Sequence, residues 1–198
     1  MITNSILAGM LIGIGDIALM SCDNKYVGAL LFAVALMSII YFELPLFTGR
    51  VGSMIHNGTY LFCFFVLFFN TLGAALSVWL YKLMAPDNID KITAIATYKF
   101  GRGYIALFVA GILCNVLIHI AVSSKHSILV VMCVMAFILC GFEHSIADAG
   151  YVFGSWTYVL PWLTVVVGNT VGGIFTFYFL HDEDNEDDEI EEELEQDV

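Results

Sequence analysis

The chain has 198 residues, 60% of them hydrophobic and 13% charged, with a mean hydropathy of +0.86. A soluble domain of this size is rarely so apolar, so the composition argues against a water-soluble enzyme and for an all-α polytopic membrane protein. The formal charge of −12 belongs to one end: twelve of the nineteen acids fall in 182–197, leaving seven acids against seven Lys and Arg in the body.

Allowing about 20 residues per spanning helix, six apolar segments are predicted, at 4–21, 26–47, 59–83, 103–123, 128–153 and 157–180. The first has no basic n-region and no A-x-A-like site, so it reads as mature structure rather than a signal peptide, and it holds Asp16. The second runs into Glu43-Leu-Pro-Leu-Phe-Thr-Gly-Arg50, where Pro45 lacks an amide donor and Gly49 loosens the backbone, so the helix breaks there. The third contains Asn70-Thr-Leu-Gly73 and leads into a polar connection, 84–102, with Lys91, Lys99 and Arg102. The fourth carries Ala110-Gly-Ile-Leu-Cys-Asn115. In the fifth, Gly141-Phe-Glu-His-Ser145 places a carboxylate and an imidazole side by side within an apolar run. Ionisable groups at that depth face a protein interior or a water-filled cavity, so His144 is either a packed core histidine or a functional one. The sixth holds Gly168-Asn-Thr-Val-Gly-Gly173, after which 182–198 forms an acidic, disordered, solvated tail. Cys22, Cys63, Cys114, Cys133 and Cys140 have no paired spacing and read as small buried hydrophobes, not as a disulfide or metal framework.

The segments repeat. Ala8-Gly9 matches Ala110-Gly111, the break at Thr48 matches the break at His144, and Asn70-Thr-Leu-Gly73 matches Asn169-Thr-Val-Gly172, at offsets of 102, 96 and 99 residues. Three segments per repeat put the halves in opposite senses, giving two inverted three-helix repeats (about 1–84 and 103–181) within a 1–181 transmembrane domain. Interrupted segments at matching positions are the best sequence pointer to a substrate pathway.

Leu46-Phe-Thr-Gly49, Gly141-Phe-Glu-His-Ser-Ile-Ala147 and Gly168-Asn-Thr-Val-Gly-Gly173 resemble, in order, three signatures of the formate/nitrite transporter family. The resemblance implies a homopentamer of aquaporin-like protomers with interrupted second and fifth helices. Each protomer would pass small monovalent anions or their conjugate acids: formate, nitrite or hydrosulfide. By position, Leu46, Phe47 and Thr48 would form the loop interrupting the second helix, with Phe32 and Leu36 closing one side of the pore and Phe137 the other. His144 would sit between the constrictions with Thr48 across from it, Asn115 and Asn169 would line the pore and support the histidine, and Lys99 would draw anions to the vestibule. Without the resemblance, Phe32, Leu36 and Phe137 read as ordinary core. The resemblance also puts the protein in the plasma membrane (the inner membrane, if bacterial) with both termini cytoplasmic. That leaves Lys82, Lys91, Lys99 and Arg102 outside, against the positive-inside rule, although an external basic loop also serves anion capture.

The chemistry fits this picture. Charge transfer into an apolar constriction is expensive, and a central histidine can stabilise an anion or hand it a proton. Glu143 points away from its neighbour and is expected on the amides of the helix break. Pro45 stands where related chains carry an acid, and Asp148 where asparagine is common; Asp16 and Asp148 are each expected to pair with a polar neighbour. Two rival readings are a neutral-solute pore of aquaporin type, for which paired Asn-Pro-Ala boxes are lacking, and a non-conducting scaffold with a partner-binding acidic tail. Nothing in the sequence points to an enzyme, a cofactor, a metal or nucleic acid.

Overall fold

The computed structural model describes residues 1–152 and 156–196, the backbone alone at 156 and over 181–196. Among these, the regular structure is helical: α1 (Ile2–Ser21), α2 (Lys25–Tyr41), α3 (Phe47–Arg50), α4 (Tyr60–Met84), α5 (Ile89–Phe100), α6 (Tyr104–Ser124), α7 (Ser127–Leu139), α8 (Ser145–Val152) and α9 (Val159–Gln196). α1, α4, α6 and the Val159–Leu180 part of α9 are each long and apolar enough to cross a bilayer, whereas α2 and α7 are shorter apolar helices. The predicted acidic tail falls on residues whose side chains lie outside the described set; the α9 backbone is helical to Gln196.

α2 starts at Asn24, whose side chain accepts the amides of Tyr26 and Val27 at 2.9 and 3.2 Å, satisfying two donors the first turn leaves open. α2 and α7 end alike. In α7, Gly141 takes φ +71°, its N–H bonds Ile138 O, and Phe142 N–H bonds Phe137 O. In α2, Glu43 takes φ +53°, its N–H bonds Ile40 O, and Leu44 N–H bonds Ile39 O. Both are Schellman closures, which stop a helix while satisfying its last carbonyls. The second uses a glutamate where the backbone favours glycine. The chain then resumes in the short helices α3 and α8.

α1 lies on α4 and α6 on α9, with α2 against α7 and α8 against α4. The first two pairs approach to backbone contact: a methyl on Gly73 would run into Ile6 O, and one on Gly172 into Ile112 O. Close approach through small residues is how helices associate where lipid gives no hydrophobic drive. The core gathers Phe32, Leu36, Leu46, Phe47, Phe137 and Ile146 around the two breaks. A second cluster (Met20, Val78, Ile92, Ala96, Phe100 and Tyr151) seats α5 against the end of the bundle. Thus 84–102 is not a bare polar connection. Ile92, Ala96 and Phe100 recur every fourth residue and bury one face of a 12-residue helix.

Candidate functional site

The two breaks expose backbone groups far from water, and one asparagine serves each. Asn70 accepts Phe47 N–H through Oδ1 at 2.8 Å and donates through Nδ2 to Ser5 O at 2.7 Å and Pro45 O at 3.0 Å. Asn169 accepts Ser145 N–H at 2.8 Å and donates to Gly111 O at 2.8 Å and Glu143 O at 2.9 Å. Both are fully buried. Asn169 therefore supports His144 by holding the peptide groups on either side of it. Asn70, which the sequence reading placed only in a repeat, does the same for Leu46. The hydrogen bonds also fix the register: helix ends and asparagine-held peptides match at an offset of 98, so the counterpart of His144 is Leu46 rather than Thr48.

Thr48 nevertheless meets the histidine. Its Oγ1 lies 3.0 Å from His144 Nε2, with both residues buried. The other ring nitrogen, Nδ1, accepts Ala147 N–H at 3.2 Å. An acceptor nitrogen carries no hydrogen, so the neutral ring holds its proton on Nε2 and donates it to Thr48. The threonine hydroxyl hydrogen is then free to turn elsewhere. Trp162 Nε1 donates to Ser145 O at 2.7 Å and ties α9 to the start of α8.

The aromatic gate differs from expectation. Phe32 and Phe137 do not close opposite sides of the histidine: their rings meet edge to face, centroids 5.9 Å apart. Phe137 also lies nearly parallel to the His144 ring at 6.0 Å. Both phenylalanines and His144 line one cavity of about 580 Å³, which opens past Asp16, Lys25, Lys91, Lys99 and Arg102. A second cavity of about 300 Å³ is lined by Leu46 together with Glu43, Arg50 and Lys125. Leu36 and Phe47 are buried in the core and line neither cavity. Asn115 is fully buried, pressed against Gly173, with no hydrogen-bond partner for its amide among the described residues.

The charged groups also differ. Glu143 does not bind break amides; its carboxylate pairs with Lys99 Nζ and Arg102 Nη2. Lys99 also holds Asp148 Oδ1 at 2.8 Å. Burial works to lower the Lys99 ammonium, but Asp148 and then Glu143 outweigh it and hold that group well above its ordinary value. Lys99 is therefore a committed cation rather than a free one. Arg102 further donates through Nη1 to Gly141 O at 2.8 Å, pinning the residue where α7 ends. Among the described residues, no cluster of three His, Cys, Asp or Glu is placed to hold a metal ion.

A model of the formate/nitrite transporter family matches residues 1–181. Among curated relatives, the nitrite transporter NirC of Escherichia coli (strain K12) is 26% identical, over 86% of this chain and 78% of its own length. NirC of Salmonella typhimurium is 25% identical with the same coverage. A solved structure described as a pentameric formate channel with formate bound superimposes with a TM-score of 0.73 at 21% identity, covering 90% of this chain and 95% of that one. An FNT family ion channel superimposes with a TM-score of 0.77 at 24% identity, covering 92% and 89%. The two structures share this fold.

Proposed function

Because this chain belongs to the formate/nitrite transporter family, we propose that it is a multi-pass channel for a small monovalent anion or its conjugate acid. Formate, nitrite and hydrosulfide are the candidate cargoes. The observation that carries this is the Thr48–His144 contact, buried where two broken helices meet, with His144 lining the larger cavity. In this reading the larger cavity is one vestibule, closed by Phe32 and Phe137, and the smaller is the other, closed by Leu46. α2 with α3, and α7 with α8, are interrupted transmembrane segments, so six segments form two inverted repeats. The matched helix ends and matched asparagines support that division. The pentameric formate channel among its structural neighbours supports a homopentamer. The protein sits in the plasma membrane, or the inner membrane of a bacterium, with both termini cytoplasmic and the acidic stretch 182–198 a solvated tail.

At the centre, the Thr48 hydroxyl supplies a hydrogen to the passing anion or its conjugate acid, because the histidine proton already occupies the threonine lone pair. His144 acts here as an orienting, neutral group: taking a second proton would require Nδ1 to release Ala147 N–H. A hydrogen bond contributes about 0.5–1.5 kcal/mol to a neutral partner and about 1.5–3 kcal/mol to a charged one, together roughly 2–150-fold in rate at one decade per 1.4 kcal/mol. Purified protein in liposomes should pass at least one of formate, nitrite and hydrosulfide, and Thr48→Val should reduce that flux within this range. An intact oligomer passing none of them would leave a scaffold, water flux alone would leave a neutral-solute pore, and an unaltered Thr48→Val flux would remove the hydroxyl from the mechanism.

A further inference from the structure

Beside the larger vestibule, buried acid outnumbers base. Asp16, Glu143 and Asp148 are 3%, 2% and 0% exposed, and the cations between them are Lys99 and Arg102. Glu143 takes both cations, and Asp148 takes Lys99 through Oδ1 alone. Asp16 forms no ion pair among the described residues, and its Oδ2, like that of Asp148, has no hydrogen-bond partner. An uncompensated buried carboxylate is costly, and the usual escape is to bind a proton. Asp16 is the one with access, since it lines the cavity and Asp148 does not. It also precedes the gate: its chain neighbour Gly15 packs on the Phe32 ring.

On the channel reading above, we propose that Asp16 is a proton-donating site of the vestibule, protonating the anion before it meets the Phe32–Phe137 constriction. The Asp16 O–H bond breaks, the proton joins an oxygen or sulfur of the anion, and Asp16 is left as a carboxylate. A hydronium ion from the aqueous side restores it. The cargo then enters the constriction as a neutral acid, at the net cost of one bulk proton. His144, with its Nδ1 engaged by Ala147 N–H, does not have to supply it.

The groups that set this site come from every packed element. α5 brings Lys99 and Lys91, whose ammonium bonds Met20 O, and the turn after it brings Arg102. The second break brings Glu143 and His144, α8 brings Asp148 and Tyr151, and the α1–α2 turn brings Cys22 and Lys25. α4 presents Tyr81, 3.4 Å from the Ser21 hydroxyl.

The test uses purified oligomer in lipid, read by infrared spectroscopy and by liposome flux of formate, nitrite and hydrosulfide against pH. At neutral pH the wild type should show a protonated-carboxyl C=O band that Asp16→Asn removes. That variant should lose flux on the order of a hundredfold, as expected for a positioned proton donor, with the deficit narrowing as the pH falls and bulk acid substitutes. Absence of the band, or an Asp16→Asn flux and pH profile equal to wild type, overturns the proposal. If Asp16→Asn fails to assemble, Asp148→Asn decides. Removing that neighbouring negative charge makes Asp16 the stronger acid, so its band should titrate at lower pH; an unmoved band, or one lost with Asp148, overturns it. A wild type that moves anions without the band sinks the proton site alone. One that carries the band but moves no anion sinks the channel reading and the donor role together.

Discussion

Asn169→Ala tests what holds the histidine in place. The side chain is fully buried and makes three hydrogen bonds of 2.8–2.9 Å, all to backbone, two of them to the peptide groups flanking His144. Hydrogen bonds between membrane helices average about 0.6 kcal/mol by double-mutant cycle, because groups left behind find other partners; three such bonds would total about 2 kcal/mol. Here the orphans are Ser145 N–H and Glu143 O, at a helix break where no neighbouring turn can take them up. The full penalty for unsatisfied buried groups, about 1–3 kcal/mol each, is the relevant scale. The expected loss is about 3–5 kcal/mol, lowering the melting midpoint by about 6–20 °C at roughly 2–4 °C per kcal/mol for a chain of this size. Asn70→Ala should fall equally, since Asn70 makes the corresponding three bonds. Thermal unfolding of the purified oligomer in one detergent measures both. A drop under about 2 °C for either variant, or a large drop for only one, would refute the idea that the two asparagines are matched supports.

Two further outcomes follow from packing and exposure. Gly172→Ala and Gly73→Ala should each destabilise by about 1–3 kcal/mol through overpacking, because the added methyl meets a backbone carbonyl that cannot rotate away; melting unchanged within error would show that the helix pairs are not in backbone contact. Cys140 is exposed at the vestibule end that holds α5, so with cytoplasmic termini a membrane-impermeant maleimide should label it on intact cells and Cys140→Ser with Cys22→Ser, the half-buried cysteine of the same cavity, should abolish that label. Labelling confined to inside-out vesicles would invert the orientation.

The apolar segments and both breaks were legible because long hydrophobic runs, Pro45 and Gly141 act locally. α5 was missed because Lys91, Lys99 and Arg102 masked the i, i+4 spacing of Ile92, Ala96 and Phe100, which was present all along. Thr48 beside His144 followed from the motifs, and the structure places them together. The shared position of Phe32 and Phe137 did not follow. Spacing says which residues share a face of one helix, not on which side of a distant loop two helices bring theirs. The same limit hid the pairing of Glu143: from sequence its nearest donors are break amides, yet α5 and the turn after it deliver Lys99 and Arg102 from about forty residues away.

That pairing changes how selection by this pore has to be understood. Lys99 and Arg102 are held by Glu143 and Asp148, which leaves Lys25 and Lys91, the latter bonded to a backbone carbonyl, as the vestibule cations with no carboxylate partner among the described residues. Lys25 lies at the solvent-exposed start of α2, where its pull is screened within about 8 Å at physiological salt. Deeper in, with Asp16 protonated, Glu143 and Asp148 balance Lys99 and Arg102, so an anion meets no rising attraction as it nears Phe32 and Phe137. Fixed positive charge is therefore a poor source of selectivity at this mouth. What remains is the anion's own affinity for a proton: one basic enough to be protonated beside Asp16 enters the aromatic constriction as a neutral molecule, and one that cannot be protonated meets the full cost of desolvating a charge.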